Sequence, residues 1–197
     1  MGASLLFYLV AWAPVFALTI VGRFAEVALV TVAARLANFV TLVPSIQVSY
    51  LAPQFSQHYH SGHVADLNRL ARASSRRAIL VVAVPAVVLV VGASQLLRVL
   101  YGAEFEPAAP LLSVLVVGAL VVVGLGQVNQ LMLICDLERW ALLLTVAFVA
   151  VWATAGLWLA QVHGAGAVVM LAALGSVVYS VAGSVLLLRK RDVRSFA

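Results

Sequence analysis

Six long apolar runs, separated by short polar interruptions, organise the chain. The first covers 5–21, broken mildly by Pro14, and Gly22-Arg23-Phe24 marks a short connection after it. The second covers 27–50 and ends near Pro53; the third, 78–99, carries Pro85 near its start; the fourth, fifth and sixth cover 111–134, 140–160 and 167–188. Each approaches or exceeds the roughly 20 mostly apolar residues that a helix needs to cross a bilayer. Proline inside such a run is tolerated where neighbours or water re-satisfy the freed carbonyl. Tyr101–Pro107 (with Glu104 and Glu106), the segment around Asp136, Glu138 and Arg139, and His163-Gly164-Ala165-Gly166 form the turns. The pattern predicts an all-α membrane protein, a single unit of six transmembrane helices over 1–197.

One long polar stretch, 54–77, interrupts this pattern and is expected to be a basic loop. Within it Val64, Leu67, Leu70 and Ala71 recur at helical spacing, which predicts a short amphipathic interfacial helix.

Composition sharpens the class. The chain is 64% hydrophobic and 10% charged, with a mean hydropathy of +1.12, against about 45–50% and about 25% for a soluble domain. Lipid must therefore solvate much of the surface. The first run lacks a basic leader and a small-residue cleavage site, so it is read as a retained span. The lone Cys135 permits no internal disulfide.

The formal charge is +5. Because the charges sit between apolar runs, their expected partner is membrane lipid and not nucleic acid. Six spans put Arg69, Arg72, Arg76, Arg77, Arg139, Arg189, Lys190, Arg191 and Arg194 on one side, against Arg23 and Arg98 on the other. By the positive-inside rule both termini are then cytoplasmic and the protein is multi-pass in the cell membrane.

Arg35, the remaining basic residue, lies inside a span. On a helix Thr31, Arg35, Asn38, Ser45 and Ser49 fall within roughly 80° of one another. Such a stripe suits a helix beside a water-filled path, where the guanidinium attracts an anionic group such as a phosphate. The competing reading bonds Arg35 to carbonyls of neighbouring helices for packing alone. Gln127, Asn129 and Gln130 either line the same path or bond across helices. His58, His60 and His63 match no zinc spacing, so no metal site is expected. Glu104 and Glu106 read as a solvated turn. No catalytic triad, P-loop or glycine-rich nucleotide motif is present, so neither a cofactor nor enzymatic activity is expected. Ala172, Ser176, Ser180 and Ser184 recur every four residues, as on a close packing face.

Several segments resemble a known family in their order. AARLANFVTLVPSIQVSYLAPQFSQHY is similar to a helix of polysaccharide and O-antigen flippases, and LNRLARASSRRAILVVAVPAVVLV to the basic loop and helix that follow it. LLRVLYGAEFEPAAPLLSVLVVG resembles a helix end, a Tyr-Gly-x-x-Phe turn and an Ala-Pro-rich helix entry; VNQLMLICDLER and HGAGAV resemble two later turns. The family's glycine in the fourth-to-fifth turn is absent, and Cys135-Asp136-Leu137 stand there. The resemblance implies one lobe, the second, of a transporter in the multidrug/oligosaccharidyl-lipid/polysaccharide exporter superfamily, whose members use two six-helix lobes and alternating access. It implies flipping of a lipid-linked oligosaccharide or polysaccharide precursor. Arg35 would hold the pyrophosphate or an acidic sugar, and Thr31, Asn38, Ser45 and Ser49 would keep the path wet. The opposite wall would come from a second six-helix lobe, either an N-terminal half of a longer protein or a second copy. The alternatives are a multidrug exporter of the same superfamily and a truncated, non-transporting membrane protein.

Overall fold

The computed structural model describes residues 12–191 and Val193, and these are all-α with no strand. Helix α1 occupies 12–20. There follow α2 (Phe24–His60), α3 (Val64–Val91), α4 (Ala93–Tyr101), a 3₁₀ turn (Ala103–Ala108), α5 (Ala109–Leu125), α6 (Val128–Ile134), α7 (Glu138–Val151), a π turn (Trp152–Gly156), α8 (Leu157–Val162) and α9 (Ala165–Arg191). Five stretches are long and apolar enough to cross a bilayer: Phe24–His60, Val64–Val91, Ala103–Ile134, Glu138–Val162 and Ala165–Lys190. Of the expected first span, 5–11 lie outside the described residues, as does Arg194.

The polar stretch 54–77 is not a loop. Helix α2 runs through Pro53 to His60, and α3 begins at Val64. Only Ser61–His63 turn, with Gly62 at φ +77°. The expected short interfacial helix is instead the first half of α3. The polar residues mislead because each helix here also has a buried side: Phe55 and Leu67 are fully buried and Ala71 nearly so. At 37 residues, α2 is about 55 Å long, more than the roughly 40–45 Å of a whole bilayer.

Other breaks fall inside apolar runs. Gly92 separates α3 from α4, and Gly126 (φ +83°) with Gln127 separates α5 from α6. The π turn seats the buried Trp152 ring over Gly156, where a Cβ would come within 2.5 Å of the indole. At the turn between α6 and α7, Asp136 takes the left-handed conformation at φ +57°, which aspartate tolerates better than most residues.

Two cores hold the bundle. One gathers Leu18, Val40, Val82, Leu97, Leu112 and Val116. The other gathers Phe55, Leu67, Met132, Cys135, Leu187 and Val193. Each end is tied separately. At one, Arg23 Nε pairs with Glu26 Oε1 at 3.2 Å, Arg23 Nη1 donates to the Ala160 carbonyl, and Glu26 Oε2 accepts from the Ala165 amide at 2.5 Å. Glu26 thereby satisfies a free N–H at the start of α9. At the other end, Lys190 Nζ lies 4.3 Å from the centre of the Trp140 ring. The outer surface is apolar, with Leu80, Val91 and Val99 each at least 74% exposed. Long apolar helices with such a surface fit a membrane protein.

Candidate functional site

Helices α2, α3 and α9 each pass from one core to the other. In α2 the first core ends at Val40 and the second begins at Phe55. In α3 the order reverses, with Ala71 in the second core and Val82 in the first. The residues between them line an open-sided cavity of about 720 Å³. Thr41, Pro44, Ser45, Gln47 and Val48 of α2 line it, with Ser74, Ser75 and Ala78 of α3. The break after α5 adds Gly126 and Gln127, and α6 adds Asn129 and Gln130. Thr145 and Phe148 of α7 and Ser176, Tyr179 and Ser180 of α9 complete the wall. The volume falls within the roughly 300–1,000 Å³ usual for ligand sites.

Local sequence explains the opening. Pro44 supplies no amide to the α2 ladder, and Gly126 takes a backbone conformation closed to most side chains. Both stand at the cavity wall, and Gln127 Nε2 reaches from the break at Gly126 toward α2, 3.5 Å from the Pro44 carbonyl. That approach orients the amide, and among the described residues Gln127 Oε1 is left buried without a partner, as is Gln47 Oε1. A buried acceptor without a donor costs about 1–3 kcal/mol, so both oxygens favour any donor that enters.

The opposite wall is a hydroxyl–amide cluster. Tyr179 Oη donates to Asn129 Oδ1 at 3.3 Å and lies 3.4 Å from Thr145 Oγ1. Its single proton serves one of these acceptors at a time. Thr145, Ser176 and Ser180 each donate to a carbonyl three or four residues earlier in their own helix, which leaves their lone pairs as acceptors. Among the described residues the lining contains no Asp, Glu, Lys, Arg or His. It offers neutral donors and acceptors beside the Phe148–Tyr179 ring pair, whose centroids are 6.2 Å apart.

Of the residues singled out in the sequence, Ser45, Gln127, Asn129 and Gln130 line this cavity; Thr31, Arg35, Asn38 and Ser49 do not. Thr31 Oγ1 donates to the Val27 carbonyl and Ser49 Oγ to that of Ser45, so both hydroxyls return to their own helix. Arg35 is exposed, about 140° around α2 from the cavity-lining Val48, beside exposed Phe39, Leu42 and Ile46. Among the described residues the one ion pair is Arg23–Glu26. The row of small residues divides: Ser176 and Ser180 line the cavity, while Ser184 is buried and bonds back to Ser180. Gln47, Ser74, Ser75, Thr145 and Tyr179 escaped the sequence reading. Gln47 alone carried a usable signal, as an amide within an apolar run.

Comparison with known protein families, curated proteins and solved structures finds no match to the chain.

Proposed function

We propose that the chain is one six-helix lobe of a membrane transporter that moves the polar part of a lipid-linked oligosaccharide or polysaccharide precursor across the cell membrane. The observation that carries this reading is the uncharged cavity at the level where five apolar helices meet, with two buried amide oxygens lacking donors. Hydroxyl-rich sugars supply many donors, and a hydrogen-bonding site within apolar spans is what their passage requires. Among the described residues the lining holds no carboxylate to pair with a cationic drug, which weighs against multidrug export.

Arg35 has a separate part in this proposal. It stands eleven residues into α2, about 16 Å along the helix axis from Phe24, near the middle of a hydrocarbon layer about 30 Å thick. A guanidinium there is costly in lipid and calls for water or protein beside it. A second lobe, from a longer chain or a second copy, covers this face and encloses a wet route. Asn38 and Thr31 continue the polar row from Ser45 at the cavity edge. Arg35 meets the phosphate while the sugars occupy the cavity.

The test is complementation of a flippase-deficient strain by the chain with a second lobe supplied. Export is expected to fall with Gln127→Leu and Arg35→Ala at equal membrane abundance, with Arg35→Lys partly active because it keeps charge and loses the planar fork. Wild-type export by both Gln127→Leu and Arg35→Ala would refute the assignment.

A further inference from the structure

The first half of α3 carries Arg69, Arg72, Arg76 and Arg77 within nine residues. Its opposite face is packed: Leu67, Ala71 and Ala78 are almost wholly buried. Arg69, Arg76 and Arg77 are exposed and Arg72 half-buried. None forms an ion pair among the described residues. Ala65 and Ala73 leave open space of about 750 Å³ between the arginines. The backbone beneath is held by the second core, so the cationic groups stand on a fixed support.

What lies further along the same face identifies the partner. On the helical repeat Arg69, Arg76, Leu80, Val87 and Val91 fall within about 60° of one another. Leu80 is 74% exposed and Val91 83%, with Val84 and Val87 beside them more than half exposed. One continuous strip is therefore cationic over its first two turns and bare aliphatic over the next three. A free anion or a nucleic acid has no use for the aliphatic half, and a neutral lipid has none for the arginines. The strip from Arg69 to Arg76 is about 10 Å long, enough to span one polar headgroup layer of a bilayer, about 5–7.5 Å.

We propose that this face of α3 is a binding site for an anionic phospholipid, with acyl chains along Leu80, Val84 and Val87 and the phosphate held by Arg76 and Arg72, with Arg69 beyond. The site is independent of the transport reading. Guanidinium forks suit phosphate oxygens, and basic residues at the edge of a span are where anionic headgroups collect.

The test is thermal unfolding of the purified chain in uncharged detergent, followed by tryptophan fluorescence. It is titrated with phosphatidylglycerol, with phosphatidylcholine of the same chains, and with glycerol phosphate. Phosphatidylglycerol is expected to raise the midpoint at concentrations where the other two do not. Near an anionic surface each basic residue contributes about fivefold to binding, so Arg69→Gln/Arg76→Gln is expected to raise the half-saturating phosphatidylglycerol by about 25-fold. Arg139→Gln/Arg189→Gln removes the same charge elsewhere, from exposed positions, and is expected to leave it unchanged. Arg69→Lys/Arg76→Lys is expected to fall between the wild type and the Gln pair. Equal response to the two lipids, equal loss in the two Gln pairs, or stabilisation by glycerol phosphate matching that by the lipid would each overturn the proposal.

Discussion

Replacing Gly118 by alanine puts a methyl group where α5 and α9 leave no room for one. A Cβ at Gly118 would lie 2.9 Å from the Ala173 Cβ and 3.4 Å from its Cα. Neither atom can swing aside, so the helices must separate by several tenths of an ångström. Overpacking of this kind costs about 1–3 kcal/mol. Alanine returns up to about 1 kcal/mol in helix propensity, leaving a net loss of about 0–2 kcal/mol. Gly166, near the start of α9, is the matched control, since a Cβ there meets nothing within 4 Å. Gly166→Ala keeps the propensity gain without the collision. For a chain of this size about 1 kcal/mol moves the midpoint by roughly 2–4 °C. Thermal unfolding in detergent micelles is therefore expected to place Gly118→Ala several degrees below Gly166→Ala. A Gly118→Ala variant that unfolds at or above the temperature of Gly166→Ala would refute the close approach of these two cavity-lining helices.

Further outcomes follow from the ties at the ends and from the cavity wall. Glu26→Ala frees the Ala165 amide and removes the partner of Arg23; with a charged hydrogen bond worth about 1.5–3 kcal/mol, it is expected to lower the unfolding midpoint more than Lys190→Ala, whose exposed stack on Trp140 is worth about 0.5–1 kcal/mol. Gly164→Ala is expected to destabilise as well, because φ is +73° there and the Cβ would meet the Arg23 guanidinium. Tyr179→Phe removes the hydroxyl shared between Asn129 and Thr145. It is expected to cost about 1 kcal/mol in thermal unfolding and to reduce export in the complementation assay.

The apolar runs were legible because lipid demands length and hydropathy together, and α2, α3, α5, α7 and α9 lie under the runs that predicted them. Hydropathy is silent about helical segments beyond the apolar layer. Residues 54–77 therefore read as a basic loop with one short interfacial helix around Val64–Ala71, although Phe55 and Leu67 anchor two long helices in a core. It is equally silent about breaks inside a run, so Gly92 and Gly126 went unmarked. The site was legible in part. Gln127, Asn129 and Gln130 stand out as amides in an apolar run, and they meet Thr145 of α7 and Tyr179 of α9, which no local pattern distinguishes. The stripe containing Arg35 identified a face of α2 but not its neighbour. The cavity touches that stripe at Ser45 and otherwise opens on the adjoining face, where Gln47 and Val48 stand.

The transport reading needs the cavity to hold water between the apolar helices, at the level of Ser74 and Ser75 in α3, and thiol accessibility measures this directly. In a Cys135→Ala background, cysteines placed at Ser45 and Ser180 of the wall and at Leu174 and Val178 of the exposed surface of α9 are treated in membranes with a water-soluble maleimide, which reacts with the thiolate. The account predicts labelling at the two wall positions and protection at the two surface positions. Protection at Ser45→Cys and Ser180→Cys, equal to that at Leu174→Cys and Val178→Cys, would contradict it.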